Sequence, residues 1–182
     1  LIRCVAQRLA SLAAPVVLDP VMVAKSGDAL LQDAAVDSLR TELVPRATLL
    51  TPNLPEAARL LETSQARTES QVEAQARGLL ELGPGAVLMK GGHAGGLRCV
   101  DILVSNEGPS QRFEAERVDT RNTHGTGCTL SSAIAAGLAK ALPLDHAVAE
   151  AHTYLQGAIR AGAHSSVGSG HGPVHHFHRH WS

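Results

Sequence analysis

Aromatic residues are nearly absent: two Phe, one Tyr and one Trp make up 2% of 182 residues. The interior must therefore be built from Ala, Val, Leu and Ile, a composition suited to parallel strands covered by small-residue helices. Stacking of bases on aromatic platforms is excluded as a main binding mode. Cysteine is scarce too. Cys4, Cys99 and Cys128 are odd in number and form no Cys-x-x-Cys pair, which excludes a disulfide framework or zinc knuckle and suits a reducing cytoplasm. No apolar run approaches the length of a membrane span, and no secretory signal is visible. Neither sign of charge dominates. With 16 Lys and Arg against 17 Asp and Glu, the chain lacks the basic face that nonspecific nucleic-acid binding needs. There is no internal repeat and no linker, and 44% hydrophobic content predicts one globular domain over residues 1–182.

What is present centres on Asn122-Thr123-His124-Gly125-Thr126-Gly127-Cys128-Thr129-Leu130-Ser131-Ser132-Ala133, a glycine-rich turn running into a small-residue helix. Gly125 and Gly127 leave backbone N–H groups open to a ligand, and the helix adds its unpaired N–H groups and positive dipole end. Such a turn reads as an anion site, with a phosphate chain as its occupant. Cys128 falls in the first helical turn, where the dipole favours a thiolate, so a base would stand beside a phosphate. A glycine turn that merely starts a helix has the same local appearance.

The full twelve-residue string resembles the anion hole of the hydroxymethylpyrimidine and phosphomethylpyrimidine kinases of thiamine biosynthesis, members of the ribokinase-like superfamily. Many relatives, including pyridoxal kinases, carry Asp where this string has Cys128. The resemblance implies an α/β three-layer sandwich with a mostly parallel central sheet. It also implies that the N-terminal strands and lid are missing: the sequence opens on Leu1 within an amphipathic pattern of Leu1, Val5, Leu9 and Leu12, so an N-terminally truncated kinase domain is expected. β-α alternation along the chain agrees with a parallel sheet.

Three further motifs follow in the family's order. Pro15-Val16-Val17-Leu18 reads as a buried strand ending at Asp19-Pro20, a place that also suits a plain turn. The resemblance implies that Asp19 helps hold metal and phosphates and that Val21 lines the pyrimidine pocket. Asp33 to Leu43 reads as a helix and Ala47 to Leu50 as the next strand. In Thr51-Pro52-Asn53-Leu54-Pro55-Glu56, Asn53 and Glu56 form a capping-box pattern ahead of an apolar run. The resemblance adds that Glu56 would orient Mg²⁺, with Asn53 near the phosphates. Ala86 to Met89 reads as a strand leading to Lys90-Gly91-Gly92-His93, where Lys90 and Gly92 would meet nucleotide phosphates. Thr120, just before the central string, is expected among the nucleotide contacts; Arg121 suits either the triphosphate or solvent.

Leu97 to Ser105 and Gln111 to Val118 read as two strands joined by a hairpin-like turn. Behind Cys128, Leu130, Ile134, Leu138 and Ala141 recur at helical spacing, and Asp145 to Gly162 reads as a final helix. The terminal Gly168 to His180 stretch, rich in Gly and His, is expected to be mobile rather than a designed metal site.

The resemblance implies an ATP- and Mg²⁺-dependent kinase. Its acceptors would be 4-amino-5-hydroxymethyl-2-methylpyrimidine and then the monophosphate, with Cys128 as base and Gly125, Thr126 and Gly127 as the anion hole. A homo-oligomeric full-length enzyme with small-molecule partners is expected, with no nucleic acid or membrane. Pyridoxal kinase activity, acyl transfer by Cys128 with His124, and an inactive nucleotide-binding fragment are the alternatives.

Overall fold

The computed structural model describes residues 1–22, 30–91, 96–166 and 169–181. The chain divides into two compact units, Leu1–Gly95 with Val100–Phe113, and Gly96–Cys99 with Glu114–Ser182.

The first unit alternates helix and strand. Helix α1 (Ile2–Leu9), β1 (Val17–Leu18), α2 (Asp33–Ser38), β2 (Leu49–Leu50), α3 (Leu54–Leu61), α4 (Glu69–Leu80) and β3 (Ala86–Met89) follow in order. The chain continues into β4 (Arg98–Ser105) and β5 (Gln111–Glu116), giving sheet order β1-β2-β3-β4-β5. The first three strands are parallel, with Leu18 opposite Leu50 and Leu50 opposite Val87. β4 runs antiparallel to β3, pairing Met89 with Ile102. The α/β fold with a mostly parallel sheet is therefore as expected, the antiparallel strand being the added edge hairpin.

The core is aliphatic, as the shortage of aromatics requires. Leu49, Leu50, Val87, Leu88 and Met89 are all 0% exposed. Each side chain of this size contributes about 1.5–3 kcal/mol when fully buried. Parallel strands buried on both faces read as continuous apolar runs.

Several element ends differ from expectation. β1 is shorter than Pro15–Leu18 because Pro15 has no N–H, and the Val16 N–H is taken by the Thr48 hydroxyl at 2.9 Å instead of by a ladder. The helix expected to reach Leu43 is α-helical only to Ser38 and passes into a π turn (Leu39–Leu43) and a 3-10 turn (Val44–Arg46). Ser38 and Thr41 each donate a hydroxyl hydrogen bond to the carbonyl four residues back, at 3.1 and 2.7 Å, which perturbs the ladder.

The second unit holds α5 (Thr126–Ala139) packed on α6 (Leu144–Gly162). Leu130 and Ile134 are buried as the spacing predicts, but Leu138 is half-buried and Ala141 exposed. The reason is a close helix crossing: a Cβ on Gly137 would lie 3.0 Å from the Ala147 Cβ, so α5 meets α6 along its Gly137 side. Ala141 lies beyond the helix with φ at +61°. Among the described residues no helix is long and apolar enough to cross a membrane.

Candidate active site

In the first unit the carboxyl ends of β1, β2 and β3 gather Asp19, Asn53, Glu56 and Lys90. Lys90 leaves β3 beside the β2–α3 turn, its N–H donating to the Pro52 carbonyl at 2.8 Å, and it pairs with Asn53 in a parallel bridge. Its ammonium reaches back to the Asp19 carboxylate at 2.6 Å, both side chains being less than 15% exposed. The Thr51 hydroxyl, on a fully buried residue, lies 3.5 Å from the same Asp19 oxygen. Lys90 is thus not a bare point charge at the sheet edge. It balances one of the two carboxylates there.

Glu56 forms the capping box that its position suggested. Its Oε2 accepts from the Asn53 N–H at 2.8 Å while the Asn53 Oδ1 accepts from the Glu56 N–H at 2.8 Å, a complete capping box with Pro55 in the first turn. At 4% exposure this carboxyl is held above its usual range, mainly by burial and also by the nearby Asp19 charge. The Asn53 N–H and the Lys90 charge pull it partly back.

A raised carboxyl titration means ionisation opposes folding. Glu56 contributes most stability below its unfolded value, and the contribution is lost as pH rises through the folded one. Glu56→Gln keeps the cap and removes the buried charge. It is expected to raise Tm at neutral pH by about 2–4 °C for each kcal/mol of relieved desolvation, with little change at pH 4. A Tm that falls equally at both pH values would show that the carboxylate is not under this penalty.

Gly91 follows Lys90, and a Cβ there would overlap the Val100 carbonyl. Its N–H donates to the buried Asp101 Oδ1 at 2.8 Å. Asp101 thereby fixes the backbone next to Lys90. Sequence reading missed the contacts of Asp101 and Thr51, since both act across 10 or more residues. Gly92 lies outside the described residues. Val21 is 41% exposed.

In the second unit Gly125 is the N-cap of α5 in the left-handed conformation, φ +81°, and no side chain caps that helix end. The first-turn amides of Thr126, Gly127 and Cys128 therefore face outward with the dipole, as an anion requires. Cys128 is exposed and lies with His124, Gly125 and Thr129 along the wall of an open groove of about 1170 Å³. Thr120 serves the loop itself: its hydroxyl donates to the Ala163 carbonyl and accepts from the Asn122 N–H, both at 3.1 Å. Arg121 is exposed.

A family profile described as phosphomethylpyrimidine kinase matches residues 1–175. The chain belongs to the phosphomethylpyrimidine kinase family. It is 52% identical over 166 residues to the hydroxymethylpyrimidine/phosphomethylpyrimidine kinases of Salmonella typhimurium and Escherichia coli, covering 91% of this chain and 62% of each relative. The chain thus spans less than two thirds of the length of those relatives. Among solved structures, the Bacillus subtilis pyridoxal kinase in its ADP complex superimposes with a TM-score of 0.89 at 32% identity, over 100% of this chain and 67% of that one. The phosphomethylpyrimidine kinase of Clostridium difficile gives 0.74 at 35% identity, over 87% and 63%. Both place the fold in the ribokinase-like group. The chain is also 48% identical over 161 residues to the thiamine biosynthesis bifunctional protein of Geobacter sulfurreducens, covering 88% of this chain and 32% of that one.

Proposed function

We propose that this chain forms the phosphate-binding and catalytic part of an ATP-dependent kinase. Its acceptors are the hydroxymethyl group of 4-amino-5-hydroxymethyl-2-methylpyrimidine and then the monophosphate. One observation carries the reading: an uncapped helix end presents outward amides with an exposed thiol in its first turn, on a chain half identical to kinases named for these substrates.

In the first step the acceptor oxygen bonds to the γ-phosphorus, the bond from phosphorus to the ADP oxygen breaks, and Cys128 Sγ takes the alcohol proton. The amides of Gly125, Thr126, Gly127 and Cys128 hold the charge on the transferring group in place. Asn53 and Lys90 meet the nucleotide phosphates, with Thr120 and Gly92 among its other contacts, and Val21 borders the pyrimidine. Mg²⁺ suits the other cluster, because Asp19 and Glu56 offer only hard carboxylate oxygens and this ion takes one or two of them beside phosphates and water. When bound it neutralises phosphate charge, and it would relieve the cost of keeping Glu56 ionised while buried. Lys90, already at Asp19, exchanges part of that contact for phosphate.

Acyl transfer has less support. The His124 backbone is bonded to Gly172 and Val174, on the side of the C-terminal segment.

The test is a phosphoryl-transfer assay on this chain and on a version extended upstream, with hydroxymethylpyrimidine, its monophosphate and pyridoxal as acceptors. Transfer to both pyrimidines is the expected result. Transfer to pyridoxal alone would move the chain to the other vitamin kinase activity, and failure of both folded versions on every acceptor would leave nucleotide binding as its function.

A further inference from the structure

The Gly- and His-rich terminus does not behave as a loose tail. Residues 169–181 are laid down on α6 and on the anion-hole loop. The His124 N–H donates to the Gly172 carbonyl at 3.0 Å and the Val174 N–H returns to the His124 carbonyl at 3.4 Å, a short parallel bridge. The His176 ring Nε2 lies 2.9 Å from the Thr129 hydroxyl, which donates to the Gly125 carbonyl at 2.7 Å. The segment is anchored from behind: the His175 N–H donates to the Ala158 carbonyl at 2.9 Å, the Tyr154 hydroxyl to the His176 carbonyl at 2.7 Å, and Val174 is 3% exposed.

The other end of the loop is tied to the same place. Asn122, 9% exposed, donates its side-chain amide to the Gly162 and Ser165 carbonyls, each at 2.7 Å. The sequence makes room for this contact. A Cβ on Gly162 would lie 3.0 Å from the His175 backbone nitrogen, and one on Gly172 would overlap the Asn122 side chain. Phe177 and Trp181 stack at 4.5 Å just beyond, so all but one of the chain's few aromatic residues, Tyr154 included, serve this terminus.

We propose that the segment Gly172–His176 is a positioning element for the Gly125–Thr129 turn, acting on its backbone through His124 and Thr129 and not on the ligand. The proposal rests on the kinase reading for its purpose, since a loop that binds by main-chain amides has no side chain to correct a misplaced donor. Its physical content is independent of that reading. Two backbone hydrogen bonds and one hydroxyl contact hold the loop from one side, and Asn122 holds it from the other.

The test is residue-resolved amide hydrogen exchange and ATP titration on the whole chain and on three variants. His176→Ala removes the Thr129 contact, His176→Gln keeps a polar group near the position of the ring Nε2, and Gly172→Ala displaces Asn122. The expected result is about tenfold faster exchange at His124 and Thr129 in the Ala variants. ATP affinity should weaken by about tenfold, the scale of one hydrogen bond lost with its partner left behind. β3 amides should be unchanged, and His176→Gln should fall within about twofold of the parent. Unchanged exchange at His124 and Thr129 in both Ala variants would overturn the proposal, and so would an equal rise across β3, which marks general destabilisation. If the parent chain binds no ATP, the kinase reading fails, while the exchange comparison still decides whether the segment positions the loop.

Discussion

Cys128→Ala is expected to lower phosphoryl-transfer turnover by about 10²–10⁴-fold, the usual contribution of a positioned general base. ATP affinity should stay within about twofold, because the phosphate contact proposed for Cys128 is its backbone N–H, which alanine retains. The thiol sits in the first turn of α5 on an exposed wall of the groove, so its removal leaves no buried cavity and little stability cost. Steady-state kinetics with the hydroxymethylpyrimidine acceptor, in the shortest form of the protein that transfers phosphate, provide the measurement. Cys128→Asp should recover part of the lost rate, since a carboxylate can take the same proton. Turnover within about threefold of the parent in Cys128→Ala would remove the thiol from proton transfer altogether.

The second large effect concerns the ion pair at the sheet edge. Lys90→Met should destabilise the fold by about 3–5 kcal/mol, the cost of leaving one member of a buried pair uncompensated, which is about 6–20 °C in Tm for a chain of this size. The physical reason is local. Asp19 loses its 2.6 Å partner, and Glu56, whose titration is already raised by burial and by Asp19 and restrained by Lys90, is pushed up further. The double variant Asp19→Asn with Lys90→Met should recover most of the stability, since the two residues act as a unit. It should not recover ATP affinity, because both residues proposed to face the phosphates are then gone. Thermal unfolding of the single and double variants separates the two effects. Additive losses in Tm would mean that the pair contributes little as a pair.

The contrast between these two sites shows what kind of information the chain carries locally. The Gly125 turn, the thiol that follows it and the Asn53–Glu56 cap all depend on residues within four positions of one another. Their geometry is set by backbone preference: left-handed φ at Gly125, an extended N-cap at Asn53, and a side chain that reaches three residues forward. Such features are readable without a fold. The Lys90–Asp19 pair joins residues 71 apart and the Thr129–His176 contact residues 47 apart. No local pattern encodes either, since each exists only because parallel strands or packed helices bring their ends together.

The terminus makes the same point from the other direction. By composition, glycine and histidine at a chain end predict mobility, because little apolar surface offsets the entropy of ordering. That expectation fails here because α6 and the loop supply carbonyl and N–H partners already held in place, so the segment is ordered by groups it does not itself contain.

The sequence by itself determined the aliphatic core, the α/β alternation, the capping box and the glycine-led helix with its thiol, all of which follow from composition and neighbours. Only the tertiary structure decided which charges neutralise one another at the strand ends, and that the histidine-rich terminus bonds to His124 and Thr129 around the start of α5. Both depend on long-range approach, which chain topology and close packing at glycines impose and short-range propensity cannot.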